Sequence, residues 1–106
     1  MTRQPFLERQ GEHAHGGLRG TLERLPFRIG RSKDADHTLP TREVSSFHAE
    51  IIEVDDGYLV RDLGSRNGTF VNGYRVEESR LGDGDILHIA QEECRFGVVE
   101  ESGFGD

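Results

Sequence analysis

At 106 residues, with 33% hydrophobic residues and a formal charge of −7, the chain is long enough to bury one core without disulfides or a metal. A single cysteine, Cys94, excludes an intrachain disulfide framework and fits a reducing, cytoplasmic compartment. No apolar run approaches the roughly 18 residues of a membrane helix, no signal-like apolar core follows the first residues, and net negative charge without a basic stripe argues against nucleic acid.

The charge is unevenly placed. Residues 1–66 hold ten Arg or Lys against eleven Asp or Glu, whereas residues 67–106 hold three against nine, so the acidity belongs to the C-terminal third. Twelve of the thirteen cations are arginine, whose planar fork suits phosphate or carboxylate, and Lys33 is the single lysine. A local cluster of arginines can recognise a lone phosphate even on an acidic chain.

Taken in order, the elements are short. Fourteen glycines interrupt every stretch long enough for a stable helix, and the apolar residues fall in brief runs or alternations. These predict eight strands, at residues 5–9, 21–25, 27–30, 48–54, 58–62, 69–71, 85–89 and 93–100. Turn signals separate them at Asp55-Asp56-Gly57, Asn67-Gly68, Asn72-Gly73 and Gly82-Asp83-Gly84. Residues 1–4 read as an N-terminal extension, 5–100 as one domain, 10–20 within it as a long surface loop, and 101–106 as a tail or a linker toward another domain. Many short strands at such spacing predict an all-β sandwich or barrel.

Three segments carry chemistry. The first, Ile29-Gly30-Arg31-Ser32, ends a strand in a glycine and then projects an arginine from the sheet rim, a placement suited to a bidentate bond to phosphate. The second is Val44-Ser45-Ser46-Phe47-His48-Ala49. Its Ser-x-x-His spacing could belong to a hydrolase triad of Ser45, His48 and Asp62, but no nucleophile elbow and no oxyanion hole accompany it. The third runs from Arg61 to Tyr74, with a Ser65-Arg66-Asn67-Gly68 turn and a second Asn-Gly pair at Asn72-Gly73. Asn amides suit peptide recognition because each offers one acceptor and two donors.

These three segments, in this order and at about this spacing, resemble the forkhead-associated domain, a module that binds phosphothreonine peptides. The resemblance covers roughly residues 5–99 and implies a sandwich of two antiparallel sheets whose loops at one end form the site. It implies that Arg31 and Ser45 hold the phosphate and Asn67 the peptide main chain, with Ser46 and Arg66 at the edges and Gly30, His48 and Gly68 as structural support. It implies no cofactor, no metal, no catalysis, and a phosphothreonine-containing protein as partner in Ser/Thr phosphorylation signalling. The sequence departs from the pattern at Ser46, where bacterial members usually carry arginine or lysine. A neutral hydroxyl there keeps a rival reading open: a phospho-independent interaction or dimerisation module.

The remaining candidates read as structural. Asp34-Ala35-Asp36-His37 and His13-Ala14-His15 offer metal-binding side chains without a companion cluster, and Asp83 and Asp85 flank a turn glycine. His88 falls in an alternating strand, Cys94 reads as a small hydrophobe, Phe70 and Val71 as core, and Asn72-Gly73 as a plain turn.

Overall fold

The computed structural model describes residues 2–10, 19–22 and 24–101. The described residues contain no helix and form eleven strands. These are β1 (Thr2–Arg9), β2 (Arg19–Thr21), β3 (Phe27–Gly30), β4 (His37–Thr38), β5 (Ala49–Val54), β6 (Gly57–Asp62), β7 (Thr69–Val71), β8 (Tyr74–Val76), β9 (Glu78–Leu81), β10 (Ile86–Ile89) and β11 (Glu92–Glu101). They build two sheets, one in the order β2-β1-β11-β10-β7-β8 and the other β4-β3-β5-β6-β9. Neighbouring strands pair antiparallel except β3 and β4, which run parallel through Ile29↔His37 and Gly30↔Thr38.

Alternation along the strands decides what enters the space between the sheets. In β5, Ala49 and Ile51 are buried while Glu50 and Ile52 between and beyond them face outward; in β6, Tyr58 and Val60 are buried and Arg61 is exposed. Leu7, Ile29, Leu87, Ile89, Cys94 and Phe96 complete the centre of a continuous core. Fully burying each large apolar side chain is worth roughly 1.5–3 kcal/mol, so this layer is the main source of stability. On the outer face, Arg28, Glu50, Arg61 and Glu78 stand side by side on four adjacent strands, with Arg61 bonded to Glu78 at 2.9 Å and to Glu50 at 3.4 Å. Exposed pairs of this kind contribute at most about 1 kcal/mol each.

Several strand expectations need correction. The strand predicted at 21–25 is instead β2 at Arg19–Thr21. Leu22 still donates to the Pro5 carbonyl, but Pro26 lacks the N–H that a continuing strand would need. β1 begins at Thr2 rather than Pro5 because β11 reaches Glu101 and offers it a partner along its whole length. Strands β4, β8 and β9 were absent from the expectation. β4 has two residues, and β8 and β9 are sheet edges whose mostly exposed side chains show no apolar alternation. Residues 11–18 of the expected long loop, with His13 and His15, and residues 102–106 of the expected tail, lie outside the described residues.

The Asn72-Gly73 expectation holds. Both residues have positive φ, 50° and 90°, as a tight β7–β8 hairpin requires, and the Asn72 side chain accepts from the Ile86 N–H and donates to Asp85. Asp85 also accepts from the Gly82 N–H and so closes the turn, while Asp83 accepts from the Val98 N–H and ties that turn to β11. Cys94 is fully buried, and burial pushes its thiol up to about 12, so it is an inert hydrophobe at neutral pH.

Candidate functional site

Three loops meet at one end of the sandwich, and backbone geometry explains why. β3 stops at Gly30, where a Cβ would stand 2.1 Å from the Ser46 carbonyl oxygen, so only glycine lets the two loops touch. The contact is then sealed by two backbone bonds, Arg31 N–H to Ser45 O at 2.9 Å and Ser32 N–H to Ser46 O at 3.1 Å. The segment between β4 and β5 is pinned by buried Leu39 and Val44, and closes a turn at residues 41–44 through Val44 N–H to Thr41 O.

His48 joins this segment to the third loop. Its ring is fully buried; Nδ1 accepts from the Ser45 N–H at 3.1 Å, which leaves Nε2 to donate to the Gly68 carbonyl at 2.7 Å. The neutral Nε2–H tautomer satisfies both contacts. With both nitrogens engaged by backbone, no base is left for the Ser45 hydroxyl, and Asp62 bonds elsewhere. The triad geometry is therefore not formed.

Asp62 organises the loop that follows β6. Its carboxylate accepts from the Gly64 N–H at 3.0 Å, the Ser65 N–H at 2.9 Å, the Ser65 hydroxyl at 2.6 Å and the Thr69 hydroxyl at 2.7 Å. Burial is the largest single influence on this carboxyl and works to raise its pKa. The bonds from Ser65, Thr69 and Gly64 outweigh burial, so the net shift is downward. Ser65 in turn accepts from the Gly68 N–H at 3.0 Å, so one carboxylate fixes the turn that presents Arg66 and Asn67. Sequence reasoning placed Asp62 only in the rejected triad; its spacing to Ser65 and Thr69 around Gly64 was the missed signal.

The expected residues converge. Arg31, Ser45, Ser46, Arg66 and Asn67 line one open depression of about 430 Å³, together with Arg42, Glu43 and Val44, which sequence reasoning did not single out. Arg31, Ser46, Arg66 and Asn67 are exposed, Ser45 partly buried, and the supporting Gly30, His48 and Gly68 buried. The Ser45 hydroxyl accepts from the Arg66 N–H at 3.1 Å, which leaves its own proton free to donate outward. Asn67 spends one amide hydrogen on the Glu43 carbonyl at 2.7 Å and keeps its oxygen and second hydrogen available.

Charge distinguishes this end. Elsewhere Arg9 pairs with Glu92, Arg61 with Glu50 and Glu78, Arg80 with Asp56, and Arg95 with Glu8. Arg3, Arg24, Arg28 and Arg75 have no such partner among the described residues but line depressions in which carboxylates equal or outnumber arginines. Among the described residues, Arg31, Arg42 and Arg66 have no carboxylate within 4.0 Å. A larger depression of about 830 Å³ is lined by Arg61, Asp62, Gly64, Arg75, Glu77 and Glu78, among others, but there carboxylates outnumber arginines, and Arg61 and Asp62 are already satisfied. Asp36 and His37 serve the fold: Asp36 accepts from the Arg28 N–H, and His37 lies in β4 with its ring near Phe27.

Three loops bonded to one another at one end of a two-sheet sandwich agree with what comparison with known proteins finds: the FHA domain model matches residues 27–90. This chain belongs to the FHA domain family. It is 41% identical over 81 residues, 76% of its length, to an ABC transporter ATP-binding/permease protein of Mycobacterium tuberculosis, of which it spans 9%. An FHA domain from a structural and functional analysis of phosphothreonine-dependent FHA interactions superposes with a TM-score of 0.79 at 33% identity, covering 89% of this chain and 95% of that one. Mycobacterium tuberculosis EmbR in complex with a low-affinity phosphopeptide superposes with a TM-score of 0.83 at 29% identity, covering 95% of this chain and 26% of that one. This FHA domain thus spans only a small part of the transporter protein and of EmbR. None of its described segments is a helix long and apolar enough to cross a membrane.

Proposed function

We propose that this FHA domain is a non-catalytic adaptor module that binds phosphothreonine-containing segments of partner proteins in the cytoplasm, within a longer signalling polypeptide. The observation that carries the reading is the convergence of Arg31, Ser45, Ser46, Arg66 and Asn67 on one depression whose arginines are not neutralised by the protein itself. Arg31 offers its fork to the phosphate, the Ser45 hydroxyl donates a second bond, and Ser46 and Arg66 border the pocket. Asn67 pairs with the peptide main chain. Because the loops are already bonded to one another, little ordering cost is charged on binding, and neither cofactor nor covalent change is required. The FHA domain of phosphothreonine-dependent interactions and EmbR with its phosphopeptide support the same ligand class.

Calorimetric titration of a phosphothreonine peptide library and its unphosphorylated counterpart tests this. The phosphorylated peptides should bind and the others should not. A hydrogen bond to a charged partner is worth roughly 1.5–3 kcal/mol, so Arg31→Ala should weaken binding by about 10- to 150-fold. Equal binding of both peptide forms would instead favour a phospho-independent interaction module.

A further inference from the structure

We propose that Arg42 is a second guanidinium contact to the phosphate, supplying charge that the neutral Ser46 beside Arg31 does not. This rests on the phosphothreonine reading of the site. A phosphothreonine carries about −1.5 to −2 at neutral pH. The depression contains Arg31, Arg42 and Arg66 against the single carboxylate of Glu43, a net formal charge of +2 that matches one phosphate and falls to +1 without Arg42.

Position supports the same role. Arg42 is the second residue of the turn at residues 41–44, closed by Val44 N–H to Thr41 O at 3.0 Å, with Thr41 N–H bonded to Leu39 O at 2.8 Å. Leu39 and Val44 are buried to 0% and 1% exposure and hold both ends of the segment in the core. The next residue, Glu43, is tied by its carbonyl to the Asn67 amide on the opposing loop. The backbone beneath Arg42 is therefore fixed before any ligand arrives, and its exposed guanidinium has no carboxylate partner among the described residues. Elsewhere on the surface Arg61 and Arg80 sit against carboxylates. Arg42 is left free in a depression whose net positive formal charge a phosphate would complete. Ser46 lines that same depression and is exposed, so a cation grafted there should reach the same ligand.

The test uses a phosphothreonine peptide with alanine at every flanking position, so that only the phosphate offers charge. Titration compares wild type, Arg42→Ala, and the double variant Arg42→Ala/Ser46→Arg. Arg42→Ala should lose about 10-fold or more in affinity, and the double variant should recover most of it. Thermal melts of both variants should match wild type, since an exposed turn arginine contributes little to stability. The assignment is overturned if Arg42→Ala binds this peptide within about twofold of wild type while wild type still rejects the unphosphorylated form. It is equally overturned if the loss appears only with acid-flanked peptides, which would place Arg42 on a neighbouring ligand residue. Should wild type bind both peptide forms equally, the phosphate reading itself fails, and this assignment with it.

Discussion

Arg31 and His48 belong to the same site but stand in opposite relations to stability. His48 is fully buried and holds the Ser45 N–H and the Gly68 carbonyl; His48→Ala leaves a cavity and two unpaired polar groups. That should cost roughly 2–4 kcal/mol, which at about 4–8 °C per kcal/mol is a large fall in melting temperature. Arg31→Ala should leave the melt almost unchanged while abolishing most binding, and parallel melts and titrations of the two variants check the contrast. A His48→Ala variant that melts with wild type would remove the bracing role. Arg31, Ser45, Asn67 and His48 were legible through the resemblance of their three segments to the FHA pattern; a lone Gly30-Arg31 reads as any solvated turn arginine. Arg42 was not, since nothing in Thr41-Arg42-Glu43 separates it from any solvated arginine until the Asn67 amide is seen to bind the Glu43 carbonyl.

The loop between β6 and β7 is held by one carboxylate, and this gives it a pH dependence. The pKa of Asp62 is lowered in the folded protein, so its contribution is fully present above the unfolded value, near 4, and is lost as pH falls through the folded value. Asp62→Asn should therefore cost about 1–3 kcal/mol at pH 7, with the gap from wild type narrowing below about pH 4. Urea unfolding at a series of pH values measures it; a gap that is constant from pH 7 to pH 3 would show that the charge is not what matters. Element boundaries were most legible where both faces of a strand differ, as in β5 and β6, whose buried and outward residues alternate. They were least legible at the sheet edges. β8 and β9 send one apolar residue each to the core, half-buried Val76 and buried Leu81, and are strands because β7 and β6 lie beside them, which is information the local sequence does not contain.

Across the molecule, the core and the site are separated by construction. The sheets meet through Ile29, Ile51, Val60, Leu87, Ile89 and Phe96, whereas the residues proposed to meet ligand stand on loops beyond the strand ends. The acidic C-terminal third contributes only Asn67 to the depression, so none of its described carboxylates lines it. Its fold class followed from glycine density and strand spacing, but the meeting of residues 31, 45 and 67 is a property of the pairing of β3 with β5 and β5 with β6, and so of the whole chain. The buried imidazole of His48 carries that cooperation further. Ser45 N–H is bonded to its Nδ1, Arg66 N–H to the Ser45 hydroxyl, and Gly68, whose carbonyl meets Nε2, is held through its own N–H by Ser65. The Arg66 amide is bonded across two loops, whereas the Ser45 and Gly68 amides are bonded within their own segments and are coupled to each other through the His48 ring. They should exchange their hydrogens for deuterium at a common rate set by a single opening event, and a bound phosphopeptide should slow all three together. A Ser45 amide that exchanged orders of magnitude faster than that of Gly68 would mean two independent loops; a shared rate makes the recognition end of this domain one cooperative unit that opens, or stays shut, as a whole.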